Sequence, residues 1–158
     1  MFREMRRSRQ KLGEQECLRI LEQGSFGVLA VLGDEGYPYA VPLSYVYRDG
    51  KIYFHCAREG HKLDAIRNCS RVSFCVVGQD EVHPEAYTTY FRSAVAFGKA
   101  KILEEEEKKK AILLLAEKYC PEERDGWEEA IRREWKPLCV VEITVEHLTG
   151  KQAIELIK

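Results

Sequence analysis

The residues best suited to chemistry lie where a predicted strand passes through a glycine turn into a predicted helix. The segment 52–62 (IYFHCAREGHK) ends in Gly60, His61 and Lys62. A helix N-terminus presents unpaired backbone N–H groups and a positive dipole end, and a lysine beside it adds a point charge. The segment could therefore bind a phosphate group, although a solvated helix cap is the simpler interpretation of Gly-His-Lys taken alone.

Other positions carry side chains that could bind a ligand or transfer a proton. His55 shares a strand face with Tyr53 and could exchange a proton near neutral pH, or it could simply fill the sheet. Arg92 and Ser93 stand at a strand start, where they could bind an anion or cap the chain. His61 alone is typical of an exposed turn.

Several common catalytic and metal-binding patterns are missing. The chain has no G-x-S-x-G nucleophile elbow, no P-loop and no G-x-G-x-x-G fingerprint. Its six cysteines never form Cys-x-x-Cys, and together with the four histidines they fit no structural zinc spacing. We therefore expect no metal site, and we interpret the cysteines as small buried hydrophobes in a reducing compartment.

Length and composition indicate one globular domain, residues 1–158. Hydrophobic residues make up 45% and charged residues 32%, with a net charge of −1 and a pI near 6.4. This balance argues against a nucleic-acid binder. No apolar run approaches the ~20 residues of a membrane-spanning helix, and no signal-peptide core follows the basic arm of residues 1–12. We expect a cytoplasmic protein without a membrane or nucleic-acid partner.

Changes in hydrophobic period predict the elements that must position these residues. The predicted strands are 27–32, 39–47, 51–57, 72–77, 94–103 and 138–145, and the predicted helices are 14–23, 60–68, 104–119 and 128–135. Polar residues 78–89 predict a loop, and residues 150–158 a tail. This order predicts an α+β fold in which a barrel or strongly curled antiparallel sheet is flanked by helices.

Two local patterns refine these elements. Pro42 removes a ladder donor, so the strand 39–47 is expected at a sheet edge or at a bulge, and such places often lie beside a ligand. In the helix 104–119, the i,i+4 pairs Glu104–Lys108, Glu105–Lys109 and Glu106–Lys110 predict a solvated, ion-paired face.

Three segments taken in order resemble a known family. They are PYAVPLSYVY (38–47), DGKIYFHCAREGHK (49–62) and YFRSAVAFGKAKIL (90–103). The set is similar to the split-barrel flavin-binding proteins related to pyridoxamine 5′-phosphate oxidase, and most similar to the branch of 5-nitroimidazole resistance (Nim) proteins. The resemblance extends from the Arg-rich start through Thr149-Gly150-Lys151. Each motif is modest alone, whereas the ordered set is specific.

The resemblance implies a six-stranded antiparallel split β-barrel that forms a homodimer, with FMN between the subunits. The positions that match the family's flavin site are Pro42, Leu43, Ser44 and Tyr45 along the flavin, His55, Cys56 and Ala57 beside the ring and ribityl chain, His61 and Lys62 at the phosphate, and Arg92 and Ser93 completing the site. His55 also matches the histidine next to the substrate pocket, which makes it the candidate catalytic residue.

The resemblance further implies an FMN-dependent oxidoreductase that reduces a small molecule, with nitro-aromatic compounds as candidates. A non-catalytic flavin- or haem-binding module and a pyridoxal-phosphate-related binder remain alternatives, because fold does not fix function. The C-terminal segment GKQAIELIK lacks the Trp/Arg motif with which the oxidase binds its substrate. This departure counts against pyridoxamine phosphate as the substrate, although Trp127 or Trp135 could still reach a pocket.

Overall fold

The computed structural model describes all residues, 1–158, as seven strands and four α-helices. The strands are β1 Gly27–Leu32, β2 Pro38–Leu43, β3 Val46–Arg48, β4 Lys51–Ala57, β5 Arg71–His83, β6 Thr88–Leu103 and β7 Leu138–Gln152. The helices are α1 Glu14–Gln23, α2 His61–Asn68, α3 Glu105–Tyr119 and α4 Trp127–Glu134. The α+β class and the four predicted helices are confirmed.

One antiparallel sheet holds all seven strands in the order β2-β1-β5-β6-β7-β4-β3. Its two edge strands, β2 and β3, are consecutive in the chain and are separated only by Ser44 and Tyr45. The sheet must therefore curl until its edges meet at this corner. Pro42 lies in an edge strand, as predicted, because an edge position tolerates the missing donor.

The sheet has seven strands where six were expected, because the predicted strand 39–47 is interrupted at Ser44–Tyr45. Tyr45 turns inward there and is fully buried. Its hydroxyl donates to the Leu21 carbonyl at 2.5 Å. A buried aromatic ring with a satisfied hydroxyl stabilises this corner.

The two faces of β4 pack against different neighbours. On the inner face, Ile52 and Phe54 are fully buried in the main core, which the inward residues of the other strands complete. On the outer face, Tyr53 packs against a smaller cluster under α3 and α4. His55 is in register with Val140 of this smaller cluster, so it belongs to the outer face, as the alternation predicts.

The prediction of a loop at 78–89 is wrong. After a register shift between Val77 and Gln79, β5 and β6 stay paired as far as His83 and Thr88. This part of the hairpin extends beyond the neighbouring strands and meets water on both faces, which is why its sequence lacks the apolar alternation of a half-buried strand. The predicted tail is also shorter, because β7 continues through Gly150 to Gln152.

The predicted ion pairs along α3 do not form. The Lys108 side chain is 2% exposed, and its Nζ donates to the Trp135 carbonyl at 2.7 Å. Lys109 reaches Glu128 of α4 at 3.5 Å. Two lysines in the first half of α3 thus contact α4 and the residue after it, so tertiary partners replace the local ones. No helix of the structure is both long enough and apolar enough to span a membrane.

Candidate functional site

A cleft of about 490 Å³ lies where β4 ends, between β2, the start of α2 and the segment after α4. We call it the β4 cleft. It brings together six of the predicted site residues: Pro42, Leu43, His55, Cys56, Ala57 and Lys62. Its remaining walls are Val41, Glu134, Pro137 and Leu138. Strand alternation, the edge position of Pro42 and the glycine turn before α2 together build this site.

Lys62 is the cationic residue that lines the β4 cleft. It lies in the first turn of α2, after Gly60, whose φ of 138° suits a residue without a side chain. The Lys62 ammonium forms neither an ion pair nor a side-chain hydrogen bond with the rest of the chain, although its neighbours His61 and Asp64 do. An unpaired ammonium at a helix start is suited to an anionic group.

His61 is engaged elsewhere and does not line the cleft with Lys62. Its ring stacks on Tyr39 with centroids 4.2 Å apart. Its Nε2 accepts a hydrogen bond from the Asp34 backbone N–H at 3.3 Å and lies 3.7 Å from that residue's carboxylate. The side chain predicted at the phosphate thus ties α2 to the turn between β1 and β2.

The backbone of Tyr45 is also engaged within the chain. Its N–H donates to the Tyr119 hydroxyl at 2.9 Å, and its carbonyl accepts from Lys118 and Tyr119, each at 2.7 Å. These bonds occupy the groups that were predicted to lie along a flavin. Ser44, the neighbouring residue, lines a different chamber described below.

Arg92 lies in a separate cleft of about 510 Å³ that shares no residue with the β4 cleft. Its Nη1 donates to Gln79 Oε1 at 2.7 Å, and Arg19 lines the same space. Ser93 follows in β6, in register with Lys151 of β7. Within one chain the predicted site residues are therefore divided between two surfaces, with Lys62 on one and Arg92 on the other.

Burial shifts the pKa of two groups in the β4 cleft, His55 and Cys56, and in each case it favours the uncharged form. His55 is exposed at the surface, but the surrounding walls desolvate its ring, and this lowers the pKa of the imidazole below 6.5. Burial, followed by the neighbouring Cys139, raises the pKa of the Cys56 thiol to about 11 against the opposing influence of Lys62. His55 can therefore act as a neutral imidazole, whereas Cys56 remains a thiol.

A second, apolar chamber of about 470 Å³ adjoins the β4 cleft. It lies between α3, α4 and the outer face of β4 and β7, and we call it the α3–α4 chamber. The two spaces share His55, Glu134 and Leu138. The α3–α4 chamber is lined by Ser44, His55, Ile112, Leu115, Ala116, Tyr119, Cys120, Trp127, Ala130, Ile131, Glu134 and Leu138.

Sequence reasoning did not identify Glu134 as a site residue. The available signal was its helical spacing, because Trp127, Ile131 and Glu134 follow the i, i+4, i+7 pattern of one helix face. A carboxylate on an otherwise apolar stripe is unusual and marks a place where the stripe meets a cleft. No group of three or more His, Cys, Asp or Glu side chains in the chain is arranged to hold a metal ion.

The sequence profile of the pyridoxamine 5′-phosphate oxidase family matches residues 13–152. No curated protein sequence matches the chain.

Solved structures share the fold across nearly the whole chain. A protein from Bacteroides thetaiotaomicron VPI-5482, described as a 5-nitroimidazole antibiotic resistance protein, is 23% identical, covers 90% of this chain and 86% of its own, and has a TM-score of 0.73. An FAD-binding protein from Mesorhizobium loti is 27% identical over 91% of this chain and 97% of its own, with a TM-score of 0.67. An FAD- and haem-binding protein from Mycobacterium smegmatis is 16% identical over 92% of this chain and 74% of its own, with a TM-score of 0.79. The profile match over most of the residues, together with the shared fold, establishes that this chain belongs to the pyridoxamine 5′-phosphate oxidase family.

Proposed function

We propose that the chain binds FMN in the β4 cleft and is an oxidoreductase that reduces a small molecule. The observation that carries this proposal is the unpaired ammonium of Lys62, at the start of α2 and at the wall of the cleft. Family membership supports it, and so do the names of the structural relatives, two of which bind FAD. We favour FMN over FAD because a single lysine at a helix start suits one terminal phosphate.

The β4 cleft offers what a flavin requires. Lys62 would hold the phosphate, and the edge backbone of Pro42 and Leu43 would form a flat wall for the ring. When bound, the flavin supplies two-electron chemistry. Reduction of a nitro group to a nitroso group takes up two electrons and two protons, breaks one N–O bond and releases water, with a reduced nicotinamide nucleotide as the electron source.

His55 is the residue that we assign to proton handling. It borders both the β4 cleft and the α3–α4 chamber, so a molecule lying between the two would meet its imidazole. Because desolvation lowers its pKa, the ring is neutral at rest and takes up a proton only when negative charge develops beside it. Glu134 is the other polar residue that lines both spaces.

We further propose that the chain is a homodimer in which the second subunit completes the flavin site. One chain exposes 10465 Å², whereas a compact monomer of 18.3 kDa exposes about 8,100 Å². The excess includes large exposed apolar side chains, among them Leu32, Tyr37, Val77 and Val82. A second copy could cover this surface and bring its Arg92 to the cleft of Lys62. We propose the family's split barrel for the curled sheet, with β3 as an extension of β2 around the corner.

The absorption spectrum of the purified protein tests the cofactor. We expect bound or added FMN to give a band near ~450 nm, and titration with FMN to saturate at one flavin per chain. A protein that binds no flavin at any tested concentration would contradict the proposal. A strong band near ~400 nm that shifts on reduction would favour the haem-binding alternative instead.

The activity is tested separately, with flavin-loaded protein and a reduced nicotinamide nucleotide. We expect oxidation of the nucleotide to depend on an added nitro-aromatic acceptor. Tight flavin binding without turnover of any acceptor would contradict the proposed oxidoreductase activity and identify the chain as a non-catalytic flavin-binding module.

A further inference from the structure

We propose that the α3–α4 chamber is the substrate site, and that its substrate is an uncharged, largely apolar ring compound and not a phosphorylated or otherwise anionic one. The inference rests on the proposed flavin site, because it takes the β4 cleft as the place of the cofactor. It adds the chemical class of the molecule that the flavin would reduce.

The chamber has the size and lining of a small-molecule site. Its volume of about 470 Å³ lies within the usual range of ligand pockets, about 300–1,000 Å³. Nine of its twelve lining residues are hydrophobic. They come from two helices and the sheet, so a ring compound held there would contact apolar atoms of three elements.

The aromatic walls offer no free polar groups. The Trp127 indole N–H donates to the Cys120 carbonyl at 2.9 Å. The Tyr119 hydroxyl lies 2.6 Å from the Ser25 carbonyl and 2.7 Å from that of Tyr45. The indole N–H and the phenol hydroxyl are therefore already hydrogen-bonded within the chain. A polar ligand atom beside these rings would lose its hydrogen bonds to water without gaining new ones, which favours apolar ligands.

The charge of the lining selects against anions. Its polar members are Ser44, His55 and Glu134, and it contains no lysine or arginine. Arg133 pairs with the Glu134 carboxylate at 3.2 Å on the helix surface, where both side chains are exposed and solvent screens the pair. The carboxylate therefore leaves a negative charge at the junction of the α3–α4 chamber and the β4 cleft, which a phosphate or carboxylate ligand in the chamber would have to approach.

The chamber and the cleft meet at the residues that a reaction would use. His55, Glu134 and Leu138 line both spaces. A ring compound held among Ile112, Leu115 and Trp127 could present one edge to His55 at this junction. Lys62, the lysine that would attract an anion, lines only the β4 cleft. The cofactor phosphate would therefore bind in the β4 cleft, and the uncharged substrate in the α3–α4 chamber.

A matched pair of probes tests the proposal: 2-nitronaphthalene, which is neutral, and 6-nitro-2-naphthoate, which carries one negative charge on the same ring system. Binding is measured by quenching of tryptophan fluorescence, both in flavin-loaded and in flavin-free protein. We expect the neutral probe to bind at least about tenfold more tightly than the anion. Glu134→Lys should reduce or reverse this preference.

Substitutions at Ala130 locate the bound probe. Ala130 is an exposed residue of α4 that lines the chamber, so a larger side chain there should fill the space without disturbing the core. We expect Ala130→Trp to weaken the binding of 2-nitronaphthalene by at least about tenfold. Ala130→Ser nearly keeps the volume of the side chain and should leave the binding unchanged.

Each other result overturns the inference. Equal or tighter binding of 6-nitro-2-naphthoate would exclude the assigned charge class, and binding that survives Ala130→Trp would place the probe elsewhere. If neither probe binds and Ala130→Trp lowers the molar mass in solution, a second subunit fills the chamber. Because quenching is also measured without flavin, failure of the chamber is distinguishable from failure of the β4 cleft to bind FMN.

Discussion

The Nζ of Lys118 donates to the Tyr45 carbonyl at 2.7 Å and lies 4.1 Å from the centroid of the same residue's ring. The ammonium also donates to the Gly24 carbonyl at 2.5 Å, so one α3 side chain holds two loops. This contact fixes the corner between β2 and β3, where Leu43, the last residue of β2, lines the β4 cleft and Ser44, the first residue of the corner, lines the α3–α4 chamber.

Replacing Lys118 by methionine should destabilise the fold. The change keeps most of the side-chain volume but leaves the Gly24 and Tyr45 carbonyls without their charged donor. We expect the free energy of unfolding to fall by about 1–3 kcal/mol. Urea unfolding measures this, with Lys110→Met on the exposed side of α3 as the control. Equal losses in both variants would show that the corner does not depend on Lys118.

Lys62→Ala should weaken the binding of FMN much more than the binding of riboflavin, because only FMN carries the phosphate that the ammonium would neutralise. Loss of one charged hydrogen bond predicts about 1–3 kcal/mol, or a roughly fivefold to 150-fold increase in the dissociation constant of FMN. Titration of flavin fluorescence measures binding of both ligands, with Lys99→Ala, at an exposed position of β6, as the control. If both flavins weakened equally, the phosphate would bind elsewhere.

His55→Ala should keep FMN and the fold but slow reoxidation of the reduced flavin by a nitro-aromatic compound. The side chain is exposed on the outer face of β4, so its removal leaves no buried cavity, whereas it deprives the junction of its imidazole. Loss of a general acid or base predicts about a hundredfold slower recovery of the flavin band. Stopped-flow absorbance at matched flavin occupancy measures it. Parallel loss of stability and flavin would instead identify a scaffold residue.

His55 should also give the fold a small dependence on pH. Its pKa is lowered in the folded chain by desolvation, so below pH 6.5 the unfolded chain takes up a proton before the folded chain does. Stability is therefore full above pH 6.5 and falls as the pH drops from there toward the folded pKa. We expect the free energy of unfolding of His55→Gln to depend less on pH between pH 6.5 and the folded pKa of His55. A steeper decline in the variant would contradict the assigned direction.

The sequence predicted the elements that depend on local pattern and missed features that depend on packing. Alternation in 51–57 placed Ile52 and Phe54 inside and His55 outside, as observed. Nothing local showed that Lys108 would be buried, because its partner is a carbonyl at the end of another helix.

The same limit applies to the candidate site. Residues on β2, β4 and α2 are close in sequence, and most of those predicted together line one cleft. The tertiary partners of His61 and Tyr45 could not be read from their own segments, since Tyr39 and Tyr119 reach them from elsewhere in the chain. The α3–α4 chamber was missed because its walls come from elements that are distant in sequence.

The division of Lys62 and Arg92 between two surfaces gives a direct test of a shared site. If the flavin of one cleft is held by Lys62 of one subunit and Arg92 of the other, Lys62→Ala and Arg92→Ala each damage both sites of their own homodimer. A heterodimer of the two variants then carries one site with both changes and one site with neither.

Coexpression of the two variants with different tags, followed by two-step purification, isolates that heterodimer. We expect it to hold tight flavin at one site per dimer, while both parent homodimers bind weakly at every site. Quantification of bound FMN after gel filtration measures this. If the two residues instead serve sites within one chain, each chain of the heterodimer keeps its own defect, and no tight site returns. A monomer that retains one tight FMN would exclude the shared arrangement as well, because Arg92 of a single chain lies in a cleft separate from that of Lys62.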